Sequence, residues 1–389
     1  MSTDVRAVRV RALTVLSYAA MMSLAIGLNL LPVFLTTLSE LYGGAQGLTK
    51  EELGRLGAVA FSGLVVGIIV TGPLADRSGV KRFAILGNGC IAISLLGAAV
   101  APSYAWLTAS LFVLGLGAGM LDMVLSPIVA ALHPERRGAA MNWLHSFYCV
   151  GAAATVLAGT IALKAGIGWR GSCLVLLPLP VFLMIAFAPL RFPTLVTDGE
   201  RTPVRQLLRQ AWFLGALVAI FLGGATELGM AQWLPAFAEL SLAYPTWVGG
   251  MSLLLFSVAM ALGRMVVGAA GTRWNPYTVM AWGCGTSVAL FLIASFLPIP
   301  AVALSAAILA GLTGSCLWPT MLAVTADRHP DGGASMFGTL AALGNAGGIF
   351  MPWLVGWIAD RSTLAIGLAV SAVAPAAMLP LVLILRRTR

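Results

Sequence analysis

Two acidic side chains stand deep inside long apolar runs, and they are the residues best placed to do chemistry. Asp122 lies in GLGAGMLDMVLSP, residues 115–127, and Glu227 lies in GGATELGMAQWLPAF, residues 223–237. An ionised carboxylate at the centre of a bilayer costs ~2.5–3.5 kcal/mol on insertion scales. A carboxyl group withdrawn from water exchanges its proton closer to neutral pH. We therefore expect both acids to carry protons. The alternative for each is bracing of a neighbouring helix, and for Glu227 also substrate binding.

A histidine and an asparagine share one face of another apolar run. His145 follows Asn142 by three residues in AAMNWLHSFYCVGAAA, residues 139–154. His145 can serve as a proton partner or as a hydrogen-bond donor to substrate, and a packed structural histidine is an equal alternative. No metal site is expected, because His133 and His329 stand near loops and have no second ligand four residues away.

The elements that must position these residues follow from the composition. The chain has 389 residues, of which 59% are hydrophobic and 10% charged, whereas soluble domains have about 25% charged residues. This predicts an all-α membrane protein. The net charge of +9 does not indicate nucleic-acid binding, because the arginines recur in short gaps between apolar runs. The sequence has no zincin, phosphate-loop or nucleophile–base motif, so we expect no enzyme and no cofactor.

Apolar runs of roughly 20 residues predict transmembrane helices, and the sequence has twelve. The longest polar connection, 191–210, is a linker between two six-helix bundles, 1–190 and 211–389. The predicted spans are 12–38, 53–75, 82–101, 104–132, 138–163, 169–190, 211–239, 246–269, 276–296, 300–326, 334–359 and 363–385.

The two halves repeat with an offset of 196 residues. Gly72 falls on Gly268 and Arg77 falls on Arg273, and the same offset relates His133 to His329. Parallel six-helix repeats of this kind occur in transporters, with the substrate site at the midplane. We therefore expect two pseudo-symmetric bundles with the site between them.

The basic residues are distributed unevenly across the predicted membrane. With the N-terminus in the cytoplasm, 18 of the 23 Lys and Arg residues fall on the cytoplasmic side, Arg264 among them. The positive-inside rule then places both termini and the linker in the cytoplasm. We expect a monomeric multi-pass protein of the bacterial inner membrane, with the lipid bilayer as its surroundings.

The stretch GPLADRSGVKR, between spans two and three, resembles the signature motif of the major facilitator superfamily. The matching residues are Gly72, Leu74, Asp76, Arg77, Gly79, Lys81 and Arg82. The resemblance covers the whole chain and implies secondary active transport by alternating access. It also implies that this motif is a cytoplasmic gate.

The gate has a physical interpretation. Asp76 can reach the N-terminal end of a facing helix, which by the resemblance is span eleven, starting near Ala334. The contact would hold the cytoplasmic side shut and release during transport. The alternative is a set of ordinary cytoplasmic charges.

Spans five, seven and eleven are similar to the fucose:proton symporter group and related sugar transporters. The similarity rests on the N-x-x-H-s-F run from Asn142, on Glu227 and on the glycine-rich run 344–362. It implies symport of a monosaccharide or a similar small polar solute with protons. That group has an acid in span one, where this chain has Asn29, so Na⁺ is the alternative coupling ion. Proton-driven efflux of amphipathic drugs is the alternative function.

A sugar site needs aromatic faces for the ring and amides for the hydroxyls. Residues of these types fall in the middle or outer parts of several spans, and we expect them to bind substrate. They are Asn29, Asn142, Gln232, Trp233, Trp318 and Asn345, together with Glu227.

Overall fold

The computed structural model describes residues 2–44, 47–48, 50–193, 202–359 and 361–387, and no β-strand occurs among them. Twelve helices in this part of the chain are long and apolar enough to cross a membrane. They are α1 Val10–Asn29, α2 Arg55–Ser78, α3 Val80–Ala99, α4 Tyr104–Leu132, α5 Pro134–Leu163, α6 Gly168–Phe187, α7 Ala211–Ser241, α8 Val248–Arg273, α9 Pro276–Phe296, α10 Pro300–Arg328, α11 Gly333–Ala359 and α12 Leu364–Arg387. The predicted all-α membrane fold is confirmed.

The first predicted span, 12–38, was too long. The helix ends at Asn29 and is followed by a 3₁₀ turn, Leu31–Phe34, and a separate short helix, Leu35–Tyr42. Pro32 explains the break, because proline has no N–H and disfavours the helical conformation of the residue before it.

Four other spans are interrupted within about one turn of a proline, the first being α6, where one helix ends at Leu176 and the next begins at Pro178. The helix of α7 ends at Ala231 before Pro235, and α10 is divided into Pro300–Gly314 and Leu317–Arg328 before Pro319. α12 is divided in the same way before Pro375. Pro319 leaves the carbonyl of Ser315, four residues earlier, without a donor from its own helix. That carbonyl becomes available to a side chain.

The chain divides into two compact units. The first contains 1–132, 147–200 and 333–338, and the second contains 133–146, 201–332 and 339–389. This division differs from the predicted bundles at two helix ends, the beginnings of α5 and α11. Within the predicted linker, residues 194–201 lie outside the described residues, and Val204–Leu207 forms a short helix.

Close glycine contacts hold α4 against α2 in the first unit. A Cβ built on Gly115 would lie 1.8 Å from the carbonyl oxygen of Ala60, and one on Gly119 would lie 2.1 Å from that of Leu64. Small residues let membrane helices approach at backbone distance. Asp122 follows Gly119 by three residues on the same helix and is half-buried.

Candidate functional site

A buried ion pair lies at the centre of the second unit. Arg264 Nη2 of α8 is 2.6 Å from Glu227 Oε2 of α7, and the two side chains are 3% and 13% exposed. Arg264, which was counted among the cytoplasmic charges, is therefore a buried residue of a span with a carboxylate partner. The guanidinium is inside a span because Glu227, from the preceding span, neutralises it.

Two backbone carbonyls hold the same guanidinium. Nε donates to the carbonyl oxygen of Ser315 at 2.8 Å, and Nη1 donates to that of His145 at 2.9 Å. The carbonyl of Ser315 can accept this bond because the residue four positions later is Pro319, which has no N–H to offer it. Three elements thus converge on Arg264: α5, α7 and α10.

Of the three groups that bind Arg264, one could be exchanged for a ligand, namely the Glu227 carboxylate. Backbone carbonyls cannot change charge, so they hold the guanidinium in every protonation state. The Glu227 carboxyl group is the more exposed partner of the pair. Another carboxylate could bind the guanidinium in its place, because Arg binds carboxylates through two parallel hydrogen bonds.

Trp318 lies one helical turn from this pair. Its ring packs on Gly224 of α7 and on Gly344 of α11, where a built Cβ would lie 2.5 Å from Trp318 Cη2. Gly224 precedes Glu227 by three residues, and Trp318 follows Ser315 by three. The indole Nε1 is buried without a hydrogen-bond partner among the described residues.

Asn142 connects α5 to α10 beside the pair. Its Nδ2 donates to the carbonyl of Gly138 at 2.9 Å and to Thr320 Oγ1 at 3.2 Å. Its Oδ1 is buried and has no partner among the described residues. His145 is also buried, at 5% exposure, and contributes its carbonyl to Arg264.

The remaining predicted substrate residues are not all brought together. Asn29 belongs to the first unit, and its Nδ2 donates to Ala25 of its own helix. Asn345 likewise donates to the carbonyl four residues earlier. Gln232 is exposed at the break in α7, and Trp233 Nε1 donates to the carbonyl of Pro352 at 2.9 Å.

The predicted gate motif meets the start of α11 within the first unit. Asp76 Oδ1 accepts from Ala334 N at 2.8 Å, and Oδ2 accepts from Ser335 N at 3.1 Å and from the Ser335 hydroxyl. Gly72 lies against the same turn, with a built Cβ 3.6 Å from Ser335 Cα. A carboxylate bound to the first N–H groups of a helix is favoured by the helix dipole.

The rest of the motif shapes the connection from α2 to α3. Gly79, at φ +83, makes the turn after α2, a conformation that glycine adopts without strain. Lys81 Nζ donates to the carbonyl of Ala188 at 2.7 Å. Arg77 and Arg82 are exposed.

The family model described as Major Facilitator Superfamily matches residues 13–332 and 250–389 of the chain. The chain belongs to the major facilitator superfamily. Like the other proteins of this superfamily it is a transporter and not an enzyme.

Two relatives and one solved structure show where the chain stands within the superfamily. A candidate niacin/nicotinamide transporter, NiaP of Bacillus subtilis, is 28% identical over 81% of this chain and 81% of its own length. A gentisate transporter of Corynebacterium glutamicum is 27% identical over 79% and 73%. The crystal structure of FucP in the outward conformation has a TM-score of 0.79 at 18% identity, covering 96% of this chain and 98% of that chain, and it shows likeness of fold alone.

The sequence did not predict a second arginine that binds a backbone carbonyl, Arg137. Arg137 Nη1 donates to the carbonyl of Ala326 at 3.2 Å and to Asp327 Oδ1 at 2.9 Å. The carbonyl of Ala326 lacks a helical donor because Pro330 stands four residues later. Pro319 and Pro330 are thus the signal that could have predicted both arginine-binding carbonyls.

Proposed function

We propose that the chain is a proton-coupled symporter of small aromatic carboxylates. The observation that carries this proposal is the buried guanidinium of Arg264, fixed by two backbone carbonyls and paired with a carboxylate that can be protonated. A binding site for an organic anion needs such a fixed cation, since a buried carboxylate is costly unless paired.

Coupling follows from competition for one guanidinium. When Glu227 takes up a proton, its attraction to Arg264 weakens and the carboxylate of the substrate takes its place. When the substrate leaves, Glu227 loses the proton and pairs with Arg264 again. One proton and one monocarboxylate then move together without net charge. His145 is proposed as a further proton partner because its buried side chain belongs to the helix whose backbone binds Arg264.

The aromatic part of the substrate is assigned to Trp318. The indole stands one turn from the ion pair and has an N–H that can donate to a ring hydroxyl or to the carboxylate. The names of two relatives support this class through niacin and gentisate, which are aromatic carboxylates, although the first name also includes nicotinamide, an uncharged amide.

Monosaccharide symport is the second candidate. The unpartnered Asn142 Oδ1 and Trp318 Nε1 favour a ligand with hydroxyl groups, and Asn345 of the same unit would contribute its amide. Asp122 is the proposed proton carrier of the first half in either case. The proposed setting is a bacterial inner membrane with both termini in the cytoplasm, and H⁺ is the coupling ion in preference to Na⁺.

The test compares an acid with its uncharged isostere. Purified protein in proteoliposomes is given an inward pH gradient without Na⁺, and uptake of labelled nicotinate is measured in competition with benzoate, benzamide and fucose. We expect benzoate to compete and benzamide and fucose not to. Competition by fucose alone would establish the sugar candidate instead, and a requirement for Na⁺ would reassign the ion.

A matched pair of variants tests whether competition by benzoate depends on Arg264. Arg264→Gln should abolish benzoate competition, because a neutral amide does not bind the anion as a guanidinium does. Arg361→Gln is the control, since Arg361 is exposed and stacks on Trp357 with its guanidinium carbon 4.0 Å from the ring centroid. Equal benzoate binding by wild type and Arg264→Gln would refute the proposal.

A further inference from the structure

A cavity of about 470 Å³ lies where α8 ends and α9 begins, away from the ion pair of Arg264. Its lining residues are Arg273, Trp274, Asn275, Thr278, Val279 and Trp282. None of these six is acidic, and two are tryptophans. The residues proposed for transport do not include any of them, so the cavity needs a separate explanation.

The tryptophans of this cavity are exposed although they lie at the end of a span. Trp282 is 71% exposed and Trp274 is 50% exposed. Trp282 follows Pro276, the first residue of α9, by six positions, which is ~9 Å along the helix axis. An exposed side chain at this depth of a spanning helix contacts lipid. Tryptophan is enriched at this level because its ring is apolar and its N–H is polar.

The rim of the cavity is positively charged. Arg273 lines it, and Arg386, near the end of α12, approaches Thr278 Oγ1 with its Nη1 at 3.5 Å. Arg387 is exposed beside Arg386. Asn275 Oδ1 already accepts from the N–H groups of Tyr277 and Thr278. The charge available to an anion therefore comes from the arginines and not from the start of α9.

We propose that this cavity binds the headgroup of an anionic phospholipid. Arg273 and Arg386 would contact the phosphate, and Trp274 and Trp282 would pack against the glycerol and the upper acyl chain. A lipid is the occupant in preference to a free anion because the apolar wall faces the bilayer. A neutral, zwitterionic phospholipid lacks the net charge that two arginines select.

The test is native mass spectrometry of the detergent-purified full-length protein with equal amounts of phosphatidylglycerol and phosphatidylcholine. We expect wild type to retain phosphatidylglycerol in preference to phosphatidylcholine. Arg273→Gln and Arg386→Gln should each reduce that retention roughly fivefold, the equivalent of about 1 kcal/mol per basic residue at a membrane surface. Arg361→Gln removes an equally exposed arginine beside a tryptophan and should change nothing.

The variants are first checked for a monodisperse elution profile. Trp282→Leu, at a side chain that is mostly exposed, gives a second route should an arginine variant misfold, and it should also lower retention. Equal retention of the two lipids, or retention unaffected by Arg273→Gln and Trp282→Leu, would overturn the proposal. Displacement of phosphatidylglycerol by inorganic phosphate would overturn it too, because the site would then bind the free anion.

Discussion

Arg264 and Glu227 lie on consecutive spans with their charged groups 2.6 Å apart, in a site that is nearly closed to solvent. Their partners differ in kind: Arg264 has two backbone carbonyls besides the carboxylate. The cation is therefore bound both by neutral carbonyl groups and by an ionisable carboxyl group. A fixed cation with a replaceable anion is what the proposed symport of protons and carboxylates requires.

Glu227→Ala should strongly destabilise the protein. It leaves the guanidinium of Arg264 buried without its carboxylate, which typically costs about 3–5 kcal/mol. Asp327→Ala is the matched control, because Asp327 also pairs with an arginine, at 2.9 Å, but its side chain is 59% exposed; such pairs contribute about 0–1 kcal/mol. Equilibrium unfolding in detergent measures the free energy of unfolding of both variants. Equal losses would show that the Arg264 pair contributes no more than a surface pair.

Asp122→Asn should abolish uphill accumulation and leave substrate exchange partly intact. Asparagine keeps the size and hydrogen bonding of the half-buried aspartate but cannot cycle a proton. Proteoliposomes with and without a pH gradient measure accumulation, and counterflow measures exchange. Glu135→Gln, at an exposed acid just beyond α4, is the control and should behave as wild type. Normal accumulation by Asp122→Asn would remove this residue from coupling.

Gly344→Ala should impair folding or transport. A smaller side chain at position 318, in Trp318→Phe, should reverse this impairment. The new methyl group would lie 2.5 Å from Cη2 and Cζ3 of Trp318, a distance that forces one of the helices to move. Trp318→Phe removes the second ring, so the double variant should recover yield and melting temperature towards those of Trp318→Phe alone. Purified yield and thermal unfolding report the result. No recovery would mean that the crowding at Gly344 comes from the backbone.

Asp76→Asn should shift the protein away from the conformation in which α2 and the start of α11 touch. The amide keeps one acceptor and loses the charge that the N-terminal end of α11 favours. A loss of ~1.4 kcal/mol shifts a two-state population roughly tenfold. Spin labels at exposed positions 82 and 330 measure the distance distribution. Ser78→Ala, whose hydroxyl donates within α2, is the control, and an unchanged distribution in Asp76→Asn would exclude a gate.

The protein should lose stability on acidification through His329. Its imidazole packs against Trp212 and Phe213, and burial, assisted by Arg328, lowers the pKa of His329 while Asp331 opposes this. The unfolded chain keeps a value near 6.5, so it binds the proton more readily and stability falls as pH drops below about 6.5. The difference in melting temperature between wild type and His329→Gln should shrink from pH 8 to pH 5. A constant difference would contradict this.

The spans could be predicted because their signal is local. An apolar run of sufficient length between polar gaps needs no information about the rest of the chain, and α4 has the predicted bounds of 104–132. The first span was predicted too long because apolar character continues through residues 30–38 while Pro32 ends the helix. Hydropathy records burial in lipid and does not record helix breaks.

The site was predicted only in part because its contacts are non-local. Glu227 and His145 were identified as polar residues within spans, which is a property of each residue alone. Arg264 was counted with the cytoplasmic charges because an arginine within ten residues of a span's end looks like a loop charge until its partner is known. That partner is on another helix, and the carbonyl of Ser315 becomes an acceptor only through Pro319.

The order of Glu227 and Arg264 in the chain has a consequence for biosynthesis. An arginine at the centre of a single inserting helix costs ~2.5–3.5 kcal/mol, and Arg264, within ten residues of the end of α8, carries part of that cost. Because α7 precedes α8, the carboxylate is already synthesised when Arg264 leaves the ribosome, and the two helices can enter as a hairpin whose charges neutralise each other. Glycosylation mapping of α8 insertion, with Glu227 present or replaced by Ala, measures this directly, and equal insertion would contradict it. In the hairpin, the carboxylate that is proposed to exchange for substrate would first act as the counter-ion that brings its arginine into the membrane.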